Sequence, residues 1–190
     1  MTRIVIVHRW DGNPSSDWYQ WLKKELENKG YEVLVPAMPN TAEPNIQEWV
    51  SALAKEVKDT DENTYFVGHS IGCQTILRFL EQAQNPVGGV VFVAGWFHLD
   101  NLESDDIKTI AKPWLETPLK FDIISRKIPS LTVFLSSNDP YGKLKENQKI
   151  FQEKLQAHVI IEKNKGHYTT EDHITQVPQV LNALLLKIMK

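Results

Sequence analysis

A short apolar, β-prone run, Tyr65-Phe66-Val67, stops at Gly68, and straight after Gly72 the apolar period changes to helical spacing at Ile76, Leu77 and Leu80. Between the two lies Gly68-His69-Ser70-Ile71-Gly72, a G-x-S-x-G in strand–turn–helix context, which is the setting a nucleophile elbow requires. A residue on so sharp a turn crowds its neighbours two positions away on either side, so glycines there remove Cβ clashes. Such a turn lifts Ser70 above the carboxyl edge of a sheet. It also points the first amides of the following helix, Ile71 N–H among them, at negative charge forming beside the hydroxyl. The alternative is a βα turn whose serine only caps the next helix. A base and an acid elsewhere in the chain would decide between them.

The rest of the chain alternates strands with helices. Arg3 to His8 is a continuous β-branched run that suits a strand covered on both faces, and it breaks at Trp10-Asp11-Gly12-Asn13-Pro14. Ser15 or Ser16 is placed to cap a helix carrying Trp18, Leu22 and Leu26 that stops at Gly30. A short strand follows at Glu32 to Val35. Asn45 and Glu48 then form a capping-box pattern ahead of Ile46, Trp49, Val50, Leu53 and Val57. Beyond the Ser70 unit come a strand at Val87 to Ala94, one at Leu131 to Leu135 and a charged helix from about Lys143 to Leu155. A strand at His158 to Ile161 and a last helix opening at Pro178 complete the series. This rhythm predicts one α/β domain over residues 1–190, with a mostly parallel sheet of about six strands and helices on both faces.

Residues 95–129 break the rhythm. They hold Trp96, Phe97, Trp114, Leu115 and Phe121 among acids and lysines, with short helical fragments at best. An insertion after a strand's carboxyl end falls on the edge where open α/β sheets bind ligands, which makes it a partial cap over Ser70. The other reading is a surface connection whose aromatics pack on the core.

Composition narrows the partners. With 190 residues, one domain can bury about 70% of its unfolded surface. A net charge of −3 speaks against nucleic acid or an anionic membrane surface as partner. Lys143, Lys145, Lys149 and Lys154 do cluster, but Glu146 and Glu153 are interleaved at helical spacing, as on a solvated face. The single cysteine, Cys73, allows no intrachain disulfide and no Cys-rich metal site, and nothing near it in sequence would lower its pKa. No segment reads as a signal peptide or a membrane span, so the expected location is the cytoplasm.

A serine hydroxyl needs a positioned base, itself oriented by an acid. Asp139 directly follows one predicted strand and His167 the next. In a parallel sheet both emerge on the edge that carries Ser70, in the Ser–acid–His chain order of one hydrolase class. Asp122 and Asp106 are alternative acids, but neither ends a strand. His69 should point away from Ser70, His8 lies on the site floor but comes too early to be the base, and His98 and His158 read as surface or strand residues. His167, Asp172 and His173 match no familiar metal spacing. The second oxyanion donor should come from the loop after the first strand, where the Trp10 amide is the candidate beside that of Ile71. Trp10, Trp96, Phe97 and Trp114 supply candidates for an apolar acyl pocket, with His8 and Arg9 beside them.

Ile-Val-His-Arg-Trp at 6–10, Trp18 with Trp21-Leu22, Met38-Pro39-Asn40, Gly-His-Ser-Ile-Gly-Cys at 68–73, Ser-Asn-Asp-Pro at 137–140 and Gly-His-Tyr at 166–168 together resemble the YdeN-like small serine hydrolases. That α/β-hydrolase group includes the retinoblastoma-binding serine hydrolase, and the likeness covers nearly the whole chain. It implies a compact α/β-hydrolase lacking the first strands of the larger fold, Ser70, Asp139 and His167 as triad, no cofactor and no metal. The implied substrate is a small carboxylic ester, thioester or amide. Arg9 stands where the commoner residue is glycine, a departure that bears on the oxyanion loop. Two other functions stay open from sequence: an acyltransferase or thioesterase with the same three residues, and a binding module that keeps the fold with weak or no catalysis.

Overall fold

The structure, a computed structural model, describes residues 1–189. Six strands form one sheet in the order β2-β1-β3-β4-β5-β6: β1 (Arg3–Val7), β2 (Glu32–Leu34), β3 (Thr64–His69), β4 (Gly89–Val93), β5 (Leu131–Ser136) and β6 (His158–Glu162). Every pairing is parallel. The chain builds outward from β1 to β2, crosses back to β3 on the other side of β1, and continues outward to β6. The strand order therefore reverses between β1 and β3, and the crevice beyond their carboxyl ends is where such sheets take ligands.

Period-two alternation inside the strands feeds two separate cores. Val5, Val7 and Phe66 face α2 (Ile46–Val57), α3 (Ile71–Gln82), α4 (Asp105–Glu116), α5 (Phe121–Lys127) and α6 (Leu144–Leu155). Ile4, Ile6, Tyr65 and Val67 face α1 (Tyr19–Glu27) and α7 (Pro178–Ile188). Both faces are covered, which is why the central strands read as unbroken apolar runs rather than as alternation with polar residues.

The helices differ from expectation at three places. Neither Ser15 nor Ser16 caps α1; Ser16 Oγ instead accepts from Asn13 N–H at 3.0 Å, tightening the loop ahead of the helix. Asn45 does cap α2, its Oδ1 accepting from Gln47 and Glu48 N–H, but the Glu48 carboxylate takes a hydrogen bond from Asn40 Nδ2 rather than reaching back. Within 95–129, α4 is a regular helix of 12 residues rather than a fragment. Ile107, Ile110, Ala111 and Trp114 keep i, i+3, i+4, i+7 spacing, Ser104 Oγ caps its start, and Asp105 and Asp106 complement the positive end of its dipole. The guanidinium of buried Arg78 closes the other end, its Nη2 donating to the Trp114 and Thr117 carbonyls. Among the described residues no helix is long and apolar enough to cross a membrane.

Candidate active site

Ser70 joins β3 to α3 with φ 54° and ψ −120°, a left-handed conformation that costs a non-glycine residue about 1–3 kcal/mol. The flanking glycines make that turn possible. A Cβ on Gly68 would lie 2.9 Å from Cys73 Cα and N, and one on Gly72 would lie 2.3 Å from the Val7 carbonyl oxygen. Gly72 thus lets the start of α3 sit directly on the end of β1. Gly72→Ala is expected to cost about 1–3 kcal/mol or more, because the obstructing atoms are backbone and cannot rotate away. Denaturant unfolding of the variant measures it.

That close approach brings the loop after β1 beside the elbow. Neither Ile71 N–H nor Trp10 N–H has a hydrogen-bond partner among the described residues, and Trp10 and Ser70 line the same pocket. Arg9 fits where glycine is commoner because the left-handed residue of this loop is Asp11 (φ 53°), not Arg9. The Arg9 side chain also braces the loop. Nη1 donates to the Trp10 carbonyl at 3.1 Å, Nε pairs with buried Asp17 at 2.8 Å, and Nη2 approaches Glu171 at 3.6 Å.

Asp139 follows β5 and His167 follows β6, and the parallel register brings them together: His167 Nδ1 lies 3.0 Å from Asp139 Oδ1 and 2.9 Å from Oδ2. Both side chains are nearly buried, and Oδ1 accepts two further hydrogen bonds, from Tyr141 and Gly142 N–H. Burial alone would raise the Asp139 pKa. The hydrogen bond and charge of His167, with the two backbone amides, outweigh it and hold the carboxyl below its ordinary range. An ionised acceptor opposite Nδ1 puts the imidazole proton on Nδ1 and leaves Nε2 as the basic nitrogen.

Ser70 and His167 line one open pocket of about 480 Å³. Among the described residues no hydrogen bond joins Ser70 Oγ to His167; Oγ accepts from the Trp96 indole N–H at 3.2 Å, so its own proton is not committed there. Leu99 and Leu102, with Ile107 and Ile110 from α4, give the pocket an apolar side, while Asp11, Glu103 and Glu171 are exposed acids lining it. Residues from the 95–129 segment thus wall the pocket beside Ser70.

The remaining expected site residues divide. Arg9, Trp10 and Trp96 line the pocket, whereas His8, Phe97 and Trp114 do not. His8 is wholly buried, its Nδ1–H donating to the Arg9 carbonyl and its Nε2 accepting from Met38 N–H. Phe97 packs against Phe121 and Phe151. Trp114 turns into the core against Trp49, with its indole N–H on the Pro44 carbonyl. Cys73 is a buried thiol whose pKa burial pushes far up, so it is a poor nucleophile. Asp172 braces the His167 loop. Its Oδ2 takes hydrogen bonds from His167 N, Thr169 N and Thr169 Oγ1, and no group of three His, Cys, Asp or Glu among the described residues is arranged to hold a metal.

The His167 loop is held at almost every backbone group, by residues that local sequence does not single out. Lys165 N–H donates to Ser136 Oγ, Gly166 N–H to Asn138 Oδ1 and Thr170 N–H to Asp17 Oδ1, and the Trp18 indole donates to the Tyr168 carbonyl. His69 points away from Ser70 and donates to the His167 carbonyl. Burial, then the nearby His167, push the His69 pKa down to about 3, so its ring is neutral.

A protein-family model described as serine hydrolase matches residues 4–186. The chain is 28% identical to YdeN of Bacillus subtilis (strain 168) over 189 residues, covering 96% of this chain and 94% of that one. It is also 28% identical to Serine hydrolase RBBP9 of Rattus norvegicus over 179 residues, 90% of each. Among solved structures, the ydeN gene product of B. subtilis superposes with a TM-score of 0.90 at 26% identity over the full length of both chains. Est1E from Butyrivibrio proteoclasticus, covering 100% of this chain and 90% of its own, shares the fold at a TM-score of 0.75 and 12% identity.

Proposed function

The chain belongs to the serine hydrolase family, and from that premise we propose that it cleaves a small carboxylic ester through Ser70, His167 and Asp139. The observation that carries the reading is the buried Asp139–His167 pair, which leaves Nε2 basic, in one pocket with a serine held on a strained elbow. Ser70 Oγ attacks the carbonyl carbon while His167 Nε2 takes its proton, and Asp139 stabilises the imidazolium. The tetrahedral oxyanion is met by the Ile71 and Trp10 amides, each such donor being worth about 10²–10³ in rate. Collapse expels the alcohol with the proton from Nε2 and leaves an acyl group on Ser70. A water molecule, deprotonated by His167, then attacks the acyl carbon, and the acid departs as Oγ recovers its proton. The apolar side built from Leu99, Leu102, Ile107 and Ile110 suits an uncharged substituent, and the volume matches a small ligand.

Two measurements test this. A fluorophosphonate probe is expected to label the wild-type protein, and p-nitrophenyl esters of increasing acyl length are expected to be hydrolysed, with a preference for uncharged chains. Failure of folded protein to label or to turn over any member of the series would overturn the assignment.

A further inference from the structure

His69 sits directly before Ser70, and strand alternation sends its side chain to the opposite face of the sheet, into the core with α1 and α7. Its ring is completely buried, 5.3 Å from Trp18, 5.8 Å from Tyr19 and 5.5 Å from His167 between centroids. An apolar side chain would meet the packing requirement at such a place without the desolvation cost of a polar one. The polar atoms are instead arranged in series. Arg9 N–H lies 3.1 Å from Tyr19 Oη, Tyr19 Oη lies 2.7 Å from His69 Nδ1, and His69 Nε2 lies 2.7 Å from the His167 carbonyl oxygen.

The donors have one consistent assignment. A backbone amide only donates, so Tyr19 Oη accepts from Arg9. The His167 carbonyl only accepts, so the proton of the neutral His69 ring lies on Nε2; Nδ1 is then unprotonated and takes the single hydrogen of Tyr19 Oη. Three hydrogen bonds thus run in one direction, with every side-chain polar atom of Tyr19 and His69 satisfied, from the loop that carries Trp10 N–H to the residue that carries the base.

Resting on the roles given above to Ser70, His167 and Trp10, we propose that Tyr19 and His69 are positioning residues that hold the oxyanion loop and the base in one register. Neither touches the reacting atoms. They act through the backbone: the carbonyl that His69 holds belongs to His167 itself, so a shift there carries the imidazole with it. The amide that Tyr19 holds is one residue upstream of Trp10 N–H. A displacement of order 1 Å between catalytic groups can cost about 10²-fold in rate without weakening ground-state binding.

The test uses inactivation by a fluorophosphonate, which needs no knowledge of the natural substrate and resolves into a maximal rate, kinact, and a binding constant, KI. His69→Phe, which keeps bulk and removes both nitrogens, is expected to lower kinact by about 10²-fold with KI unchanged. Tyr19→Phe removes both hydrogen bonds of Oη and is expected to lower it by about 10–100-fold. His69→Gln, whose amide can still donate to the His167 carbonyl, is expected to recover most of the loss. Thermal unfolding shows that each variant is folded, and if His69→Phe is not, Tyr19→Phe decides, since it removes one buried oxygen. Wild-type labelling with His69→Phe or Tyr19→Phe equally fast would overturn the positioning role alone. So would a His69→Gln variant as slow as His69→Phe, because packing and not the donor would then be what matters. A wild-type protein that does not label would remove the hydrolase reading and this one together.

Discussion

Replacing Ser70 by alanine is expected to lower kcat by about 10⁶, the loss that follows removal of the nucleophile in another serine hydrolase. The structure says why so small a change should be so costly and so local. In the proposed mechanism the hydroxyl provides the attacking atom, and nothing nearby would replace it: Cys73, three residues beyond Ser70 on α3, is a buried thiol with a strongly raised pKa. Alanine tolerates φ 54° no better or worse than serine, so the elbow keeps its strain and its shape. What the fold loses is the acceptor for the Trp96 indole N–H, a cost of roughly 1–3 kcal/mol if that donor stays dry. KM should change little, since the hydroxyl adds its interaction in the transition state rather than in the bound substrate. Steady-state ester hydrolysis and fluorophosphonate labelling of the same preparation check both halves. A Ser70→Ala protein that still labels in stoichiometric amounts would place the nucleophile elsewhere.

Much of the candidate site's layout is legible in the sequence because its logic is local or follows from the sheet. Gly68 and Gly72 announce a turn in which only glycine clears the Cys73 and Val7 backbones. Asp139 and His167 needed only the parallel sheet, which brings every strand's carboxyl end to one edge. What stayed hidden depends on long-range contacts. Tyr19 meets His69 across 50 residues, His69 meets His167 across 98, and Trp18 meets Tyr168 across 150, and no spacing rule reaches that far. The aromatics after β4 could not be sorted by type alone. Trp96 turns towards Ser70, its indole N–H on Oγ, whereas Phe97 and Trp114 pack into the core. The helix α4 was obscured by charges and by Pro113, although Ile107, Ile110, Ala111 and Trp114 already carried its period.

Asp139→Asn is expected to lower kcat by about 10⁴ with the protein still folded, and the reason is a tautomer rather than a lost contact. Asp139 Oδ1 faces two backbone donors, Tyr141 and Gly142 N–H, at 3.0 and 3.3 Å. An asparagine must therefore put its carbonyl oxygen there, 3.0 Å from His167 Nδ1 and already shared by the two amides, which leaves its NH₂ in the place of Oδ2, the nearer atom at 2.9 Å, where an Nδ1 proton would meet a second donor. A donor opposite Nδ1 requires that nitrogen to be unprotonated, so the imidazole proton moves to Nε2 and the base that should deprotonate Ser70 is gone. Asp122→Asn is the control: that carboxylate is exposed on α5, paired only loosely with Arg126 at 3.9 Å, and its removal should leave activity unchanged. Stability supplies a second readout with a definite sign. Because the folded state holds the Asp139 pKa below its ordinary 3.8, the ionised carboxylate stabilises the protein above that pH. The contribution fades as pH falls through the lowered value. The stability gap between wild type and Asp139→Asn should accordingly be widest near neutrality and narrow below about pH 4. Denaturant unfolding at pH 7 and pH 3 measures it. Retention of activity within about tenfold by Asp139→Asn, with loss in Asp122→Asn, would transfer the orienting role to the other carboxylate.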